Sequence, residues 1–254
     1  MSAAEEITSV KDMVSEEEWQ LRVDLAATYR LVAMHGWDDM IFTHISVRVP
    51  GPEHHFLINP YGMLFEEITA SSLVKIDLEG NIVMDSPYFV NPAGFTIHSA
   101  IHSAREDAQC VLHLHTDDGV AVSAQKDGLQ PITQQSMLLT SQVSYHDYEG
   151  VALDLDERER LVADIGDKKL MVLRNHGTLA VGENCALAFM AIYFLERACT
   201  AQIRAMTGEL NRPSQAALDT TAEQSKTLFG PGVDALAWPA LLRKLDRLDP
   251  SYRD

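Results

Sequence analysis

Basic residues are scarce in this sequence. It has 20 lysines and arginines against 37 aspartates and glutamates, which gives a formal net charge of -17. Proteins that bind nucleic acids or anionic membranes use clustered Lys and Arg to displace counterions. The shortage therefore argues against both kinds of partner and favours a small-molecule ligand.

A secretion signal is also missing from the start of the chain. The first 19 residues are acidic and polar, where a signal would have a basic start and an apolar run. No later stretch approaches the about 20 apolar residues of a membrane span. We therefore expect a cytoplasmic protein.

Cysteine is rare as well. Cys110, Cys185 and Cys199 are odd in number, have no CxxC spacing and lie within apolar segments. Paired metal thiolates and disulfides are thus not indicated. Buried, reduced thiols without a catalytic role are the prediction.

The chain has no recognisable linker or internal repeat. Its 254 residues, of which 46% are hydrophobic, suffice for a sizeable core. We predict a polar arm at residues 1–17, one domain at 18–210 and a tail at 211–254. The tail is expected to carry a short helix near Trp238–Leu245 and to pack on the body or on a neighbouring subunit.

Hydrophobic periodicity predicts both helices and strands. Ser15, with Glu18 three residues later, indicates the start of a first helix that ends near Gly36. Further helices are predicted at Phe95–Arg105, Val120–Ala124, Glu157–Ile165 and Ala186–Met206. Strands are predicted at Ile41–Val49, Phe56–Asn59, Val74–Ile76, Ile82–Met84, Cys110–His115, Ser141–Tyr145 and Leu170–Leu173. Because neighbouring strands of a hairpin pair antiparallel, we predict a three-layer α/β/α fold with a largely antiparallel mixed sheet.

Two histidines stand out because they alternate within a predicted strand. His113 and His115 should point to the same face, roughly 7 Å apart at Cα. One divalent ion could take both, and a catalytic site needs a third protein ligand. His176 is the best candidate, because it follows the buried pattern Leu170–Leu173 and precedes a glycine. The alternative is that these histidines only pack or form hydrogen bonds.

Several motifs together resemble one known family. They are Gly36-Trp37, Thr43-His44-Ile45-Ser46, Ile58-Asn59-Pro60-Tyr61-Gly62, Phe95-Thr96-Ile97-His98-Ser99-Ala100-Ile101, His113-Leu114-His115-Thr116 and Arg174-Asn175-His176-Gly177. Their order is that of the class II aldolase/adducin family, and the likeness spans residues 18–210. Tyr145-His146-Asp147-Tyr148 is most similar to its adducin-like branch.

The resemblance implies an α/β/α fold, often a fourfold homotetramer with sites between subunits, and a metal site. In the family's sugar-phosphate aldolases, the residues matching His113, His115 and His176 hold zinc, which polarises the donor carbonyl. Zinc is therefore the expected cofactor here, with manganese and iron as alternatives. Those aldolases also carry a catalytic glutamate at the position of Gly94. The usual proton carrier is absent.

The phosphate-binding residues implied by the resemblance are changed too. Pro92 and Ala93 replace two serines, and His44 replaces an asparagine, while Tyr61 and Gly62 match the other loop of that pocket. We therefore expect an unphosphorylated hydroxy or oxo substrate, with aromatic and carboxylated compounds as candidates. Tyr61, Gly62 and His98 are predicted to bind it.

Two other histidines are candidates for proton transfer. His102 lies one helical turn after His98, where both could face the metal, and is the predicted catalytic acid or base. His44 is the second candidate, which as a cation could hold a substrate carboxylate. The alternative for each is a packing or hydrogen-bonded role. No catalytic role is assigned to His35, His54, His55 or His146, and Gln134 and Gln135 fit either site contacts or a solvated loop.

The predicted function is a metal-dependent carbon-carbon lyase, either an aldolase or a decarboxylase. A non-heme Fe(II) oxygenase is the second reading, because three histidines with open positions also suit iron and dioxygen. A non-catalytic binding protein like adducin is the third, favoured by Gly94. The three retained histidines argue against that last reading.

Overall fold

A computed structural model describes residues 9–151, 156–228 and 232–254, without the side chains of residues 92–95, 227–228 and 233. Residues 1–8 of the predicted arm therefore lie outside the described residues, as do the side chains of Pro92 and Ala93.

Seven strands in the described ranges form one mixed sheet, in the order β3-β2-β1-β4-β7-β6-β5. They are β1 His44–Arg48, β2 Phe56–Ile58, β3 Val74–Ile76, β4 Cys110–Leu114, β5 Val143–His146, β6 Leu170–Leu173 and β7 Gly177–Gly182. Every neighbouring pair is antiparallel except β5 with β6. The prediction of a largely antiparallel mixed sheet is confirmed.

Eight α-helices are seen in the same part of the chain. They are α1 Glu16–Met34, α2 Pro92–Ala104, α3 Asp117–Ser123, α4 Gln134–Leu139, α5 Glu157–Ile165, α6 Cys185–Ala205, α7 Gln215–Leu228 and α8 Val233–Leu248. One core joins α2 and α5 to the sheet through residues such as Ile101, Leu161 and Met171. A larger core joins α1 and α6 to the opposite face. Helices thus cover both faces, and the three-layer prediction is confirmed.

The first helix begins at the predicted cap. Ser15 Oγ accepts a hydrogen bond of 3.1 Å from the Glu18 amide. The Glu18 carboxylate forms no capping-box bond to the Ser15 backbone. It forms ion pairs with Arg22 at 3.0 Å and with Lys75 at 2.8 Å. Arg22 is 1% exposed and also donates to the Leu73 carbonyl at 2.9 Å. This buried ion pair ties α1 to the start of β3.

Some predicted elements need correction. β7 was not predicted, because it is buried along its whole length and so shows no alternation. Ile82–Met84 is not a strand; it contributes an isolated bridge between Ile82 and Ile76. Gln134 and Gln135 begin α4 rather than a loop, and α7 replaces the polar segment expected after Asn211. α4 packs on α6 and α7 packs on α4, and this packing stabilises both helices more than their own sequence patterns indicate.

Helix α6 corrects a second expectation. Its 21 residues are long and apolar enough to cross a membrane by length and composition, although no such stretch was expected. However, 56% of its most apolar window is buried inside the fold. Such burial is typical of a helix at the centre of a folded domain, and Glu196 is among its buried residues.

The C-terminal segment packs on its own chain. Trp238 Nε1 donates to Asp24 on α1 at 3.2 Å, and the Tyr252 carbonyl accepts from the Ala70 amide at 3.0 Å. Tyr252 is fully buried. The helix of this tail, α8, extends well beyond the predicted Trp238–Leu245. The body of the same chain, not only a neighbour, holds it in place.

Candidate metal centre and its cavity

Three histidine side chains converge beside the end of β4. His113 is on β4, His115 follows its last residue, and His176 lies in the turn between β6 and β7. The Nε2 atoms are 2.9 Å apart for His113 and His115, 3.0 Å for His115 and His176, and 3.3 Å for His113 and His176. The structure thus brings together the three residues that the sequence selected.

Local backbone geometry places His176. The antiparallel pairing of β6 and β7 ends at Leu173 and Gly177, so residues 174–176 form a tight turn, in which Asn175 has a φ of +56°. A Cβ atom on Gly177 would lie 2.3 Å from the Leu114 carbonyl oxygen. Only glycine allows the turn to approach the end of β4 this closely. The short side chain of Asn also tolerates a positive φ better than most residues do.

In His113 and His115, the second ring nitrogen, Nδ1, is hydrogen-bonded to another residue. His113 Nδ1 donates to the Thr178 carbonyl at 2.9 Å, and His115 Nδ1 contacts the Asp39 carboxylate at 3.0 Å. Because carbonyl and carboxylate oxygens accept hydrogen bonds, both Nδ1 atoms carry the proton. The Nε2 atoms of the two rings are then left to face each other, which fits a cation between them.

Proton binding is weak at two of these histidines, His113 and His176. Burial, together with the neighbouring His176 and His115, lowers the pKa of His113 well below its ordinary value. Burial lowers the pKa of His176 to about 4. Both rings are therefore neutral near pH 7, as metal binding requires. Three imidazole nitrogens with one open side suit zinc, and manganese or iron less specifically.

A buried carboxyl group lies behind the three histidines. Glu196 of α6 is 1% exposed and accepts hydrogen bonds from the hydroxyls of Thr116 and Thr178. Thr116 follows His115, and the Thr178 carbonyl orients His113. Burial raises the pKa of Glu196 to about 7. Glu196 thus connects α6 to the backbone on both sides of the cluster.

The histidine cluster opens into a cavity of about 350 Å³. Its described lining includes Phe42, Ile97 and Tyr148 as well as the histidines. Neither Lys, Arg, Asp nor Glu occurs among the described residues that line it. A small molecule would fit, and the lining offers no cationic site for phosphate.

His44 lies in this cavity but is not the cation that was expected. Burial lowers its pKa to about 4, so the ring is neutral near pH 7. Its Nδ1 donates to the Asn59 side-chain oxygen at 3.1 Å, and its Nε2 is 3.2 Å from Asn91 Nδ2. Since both ring nitrogens are engaged, His44 is poorly suited to hold a carboxylate.

His98 and His102 separate in the structure. His98 lines the cavity, whereas His102 is absent from its described lining. The His102 ring stacks on Phe56 at 4.8 Å and contacts Ser46 Oγ at 2.8 Å and the Ala108 carbonyl at 2.8 Å. The expectation that both rings face the metal is corrected, because the side chain of His102 lies beneath His98, against β1 and β2.

Tyr61 and Gly62 do not reach the cavity within this chain. Tyr61 is 38% exposed, and its backbone forms an isolated bridge with Phe89. Gly62 has a φ of +108°, and a Cβ atom there would meet nothing within 4 Å. Their predicted role in substrate binding would therefore require a partner subunit or a movement of the loop.

Sequence reasoning missed several residues around the site. Asn91 and Asn175 line the cavity, and Asp39 and Glu196 support the ligands from behind. Asn175 had a detectable signal, because it lies next to His176 and before a glycine. No local sequence signal indicated Asp39 or Glu196. Asp39 is 76 residues away from its partner His115, and Glu196 is 80 residues away from its partner Thr116. His146, which was assigned no catalysis, is bonded between Asp164 and Glu157.

Comparisons with known proteins agree with this geometry. A family profile described as Class II Aldolase and Adducin N-terminal domain matches residues 23–203. A Caulobacter vibrioides protein named "Putative aldolase class 2 protein" is 63% identical over 249 residues, covering 97% of this chain and 96% of that protein.

Two further relatives represent the two branches in the family's description. Rattus norvegicus alpha-adducin is 44% identical over 218 residues, which cover 85% of this chain and 29% of the adducin. The structure of L-fuculose 1-phosphate aldolase from Glaciozyma antarctica has a TM-score of 0.80 and 27% identity, covering 99% of this chain and 97% of that one. The chain belongs to the class II aldolase and adducin family.

Proposed function

We propose that the protein is a metal-dependent carbon-carbon lyase, an aldolase or a decarboxylase, acting on an unphosphorylated hydroxy or oxo compound in the cytoplasm. The observation that carries the proposal is the convergence of the Nε2 atoms of His113, His115 and His176 within 3.3 Å of one another. A purely structural domain has little physical reason to bring three imidazole nitrogens together. Membership of a family that includes aldolases supports it.

His113, His115 and His176 would hold the divalent ion, with Thr178 and Asp39 orienting two of the rings. A bound ion of this kind acts as a Lewis acid on oxygens next to the breaking bond. The protein itself positions the substrate and limits the access of water. Ile97, Phe42 and Tyr148 supply apolar and aromatic surface for this purpose.

The chemistry of the lining supports an unphosphorylated substrate. The described lining residues include no Lys or Arg, and burial keeps His44 neutral. A phosphate dianion would therefore lack a cationic partner other than the metal. A hydroxy acid or oxo acid can use the metal for its charge and the apolar wall for its side chain, which accounts for aromatic and carboxylated candidates.

Metal analysis and a product screen test this function. Purified full-length protein should contain about one zinc, manganese or iron ion per chain by mass spectrometry. The metal-loaded protein should then cleave a member of a panel of aromatic and aliphatic hydroxy acids and keto acids. His115→Ala should abolish bound metal while leaving the circular dichroism spectrum unchanged, and His54→Ala, on an exposed loop, is the control. Equal metal content in wild type and His115→Ala would contradict the proposal.

A non-catalytic binding role is the second candidate, because alpha-adducin is 44% identical over most of this chain. The two candidates predict different products. A binding protein would hold compounds from the panel without converting them, even when fully loaded with metal. A lyase would release two fragments or carbon dioxide.

A further inference from the structure

The His98 ring lies between Ser46 and the cavity. Its Nδ1 is 2.6 Å from Ser46 Oγ on β1. Its Nε2 is buried and has no hydrogen-bond partner, although His98 lines the cavity of the histidine cluster. A buried polar atom without a partner is uncommon and costs free energy, so it indicates a place for a ligand group.

The protonation of His98 follows from a chain of contacts that starts at Ala108. The Ala108 carbonyl oxygen can only accept, so His102 Nδ1 donates to it at 2.8 Å. Burial lowers the pKa of His102 to about 3, which leaves the ring neutral near pH 7. The Nε2 atom of His102 therefore carries a lone pair. It accepts the hydroxyl proton of Ser46 at 2.8 Å.

The direction of the hydrogen bond from Ser46 to His102 determines which nitrogen of His98 carries the proton. A hydroxyl has one proton, and since His102 receives it, Ser46 Oγ can only accept from His98. His98 Nδ1 is thus the protonated nitrogen. Burial lowers the pKa of His98 well below its ordinary value, so the ring is neutral. Its Nε2 therefore carries the lone pair and has no hydrogen-bond partner, in a residue that lines the cavity.

Other proton acceptors in the cavity are already engaged. His44 Nε2 faces the Asn91 amide at 3.2 Å, and the Nε2 atoms of the metal cluster face one another. Tyr148 is 54% exposed at the rim. No carboxylate belongs to the lining that the structure describes. His98 Nε2 remains as a bare acceptor beside the metal centre.

We propose that His98 is the catalytic base of this cavity, and that Ser46 and His102 are positioning residues that fix its tautomer. This inference rests on the proposed lyase function. His98 Nε2 takes a proton from the carbon next to the carbonyl group of a hydroxy ketone or oxo acid. The carbon-hydrogen bond breaks, an N–H bond forms, and the electron pair moves towards the carbonyl oxygen. Return of the proton to carbon restores both partners.

The tautomer is tested first by nitrogen-15 NMR of the histidine rings in the full-length protein, with and without zinc, at pH 7.5. The His98 signals are assigned by their loss in His98→Gln. A neutral ring with its proton on Nδ1 is expected in both states. Ser46→Ala and His102→Phe should increase the Nε2–H form, and Ser103→Ala, whose hydroxyl bonds only within α2, should not. A wild-type His98 protonated at Nε2, or at both nitrogens, would overturn the inference.

Proton transfer is tested with hydroxyacetone in D₂O, followed by proton NMR. The zinc-loaded protein should exchange the protons next to the carbonyl, and His98→Gln should slow this exchange at least about 100-fold at unchanged zinc content, the scale of a lost general base. The exchange rate in Ser46→Ala and His102→Phe should fall as the Nε2–H fraction seen by NMR rises, because a protonated Nε2 cannot accept a proton. If His98 had only a structural role, the exchange rate would not follow the Nε2–H fraction of its ring.

The outcomes separate the two proposals. No exchange by the zinc-loaded wild type would overturn the proposed function for this class of ketone, and the catalytic role of His98 with it. Exchange that persists in folded, zinc-loaded His98→Gln would overturn the role of His98 alone. If His98→Gln fails to fold, the correlation in the Ser46 and His102 variants decides, because a rate that is independent of the tautomer contradicts the inference.

Discussion

Single hydrogen bonds decide which nitrogen atoms of this site are free. Asp39 and the Thr178 carbonyl occupy the Nδ1 atoms of two metal-facing histidines, and Ser46 occupies that of His98. Each bond leaves the opposite nitrogen as an acceptor directed at the cavity. The neighbours of a histidine thus determine its chemistry as much as the ring itself does.

The support that Asp39 gives to His115 leads to a first prediction. Asp39→Asn should weaken zinc affinity about 10-fold to 100-fold, since the carboxylate raises the basicity of the ring and holds its orientation. Competition with a chromophoric chelator measures the change. Asp38→Asn, next to it in sequence, is the control. Equal affinities for the two variants would contradict this role.

Glu196 gives a prediction on pH and stability. Burial raises its pKa from 4.5 to about 7, so the folded protein binds a proton that the unfolded chain releases between these values. This contribution to stability is fully present below pH 4.5 and is lost as pH rises to about 7. Glu196→Gln removes this dependence.

Urea unfolding of the metal-free protein tests that prediction. The difference in free energy of unfolding, Glu196→Gln minus wild type, should grow by about 3 kcal/mol between pH 4.5 and 7.5, at 1.36 kcal/mol per pKa unit. Other titrating groups are common to both proteins and cancel in the difference. A difference that stays constant with pH would show that the pKa of Glu196 is the same in the folded and the unfolded protein.

At the scale of elements, the site depends on how closely the β6–β7 turn approaches the end of β4. A Cβ atom at Gly177 would lie 2.3 Å from the Leu114 carbonyl and 3.1 Å from His115 Cδ2. Backbone on one side and a metal ligand on the other leave little freedom to adjust. The same glycine thus serves both the sheet and the metal centre.

Gly177→Ala should therefore lower the free energy of unfolding by about 2 kcal/mol or more and weaken zinc binding as well. Denaturant unfolding and zinc titration measure the two effects. Gly208→Ala is the matched control, because a Cβ atom there would meet nothing within 4 Å. An equally stable Gly177→Ala protein with normal zinc affinity would mean that the turn moves easily.

At the scale of the whole molecule, the single chain leaves one side of the cavity open. Tyr148 and Val151 at its rim are 54% and 71% exposed, and nearby Tyr61 and Phe89 are 38% and 76% exposed. Exposed apolar side chains next to a binding cavity are typical of a surface that another subunit covers. We propose that a neighbouring subunit closes the cavity.

A homotetramer is the expected assembly, as the family resemblance implies. Size-exclusion chromatography with light scattering at micromolar concentration should give about four times the 28.2 kDa chain mass. Val151→Asp, which places a charge on the exposed rim, should shift the population towards smaller species, and Leu236→Asp, on the 81% exposed face of α8, should not. A monomeric wild type would contradict the assembly.

Local patterns were enough to predict most of the fold and the three histidines that the structure brings together. His113 and His115 alternate at the end of β4, His115 directly after its last residue, and this spacing predicts that both lie on one face of the sheet. The buried run before His176 and the glycine after it predict a strand end and a tight turn. Hairpin patterns predict an antiparallel sheet, because a short connection permits little else.

Local sequence patterns could not predict contacts between residues that lie far apart in the chain. β7 is buried along its length and shows no periodicity, so only its pairing between β4 and β6 reveals it. The choice between His98 and His102 depends on Ser46, 52 and 56 residues away. The sequence by itself determined which three histidines come together, because their spacing is a property of one strand end and one turn. The tertiary structure decided which histidines are neutral, which nitrogens are bare and which ring faces the cavity, because burial and hydrogen-bond partners arise only when separate elements pack together.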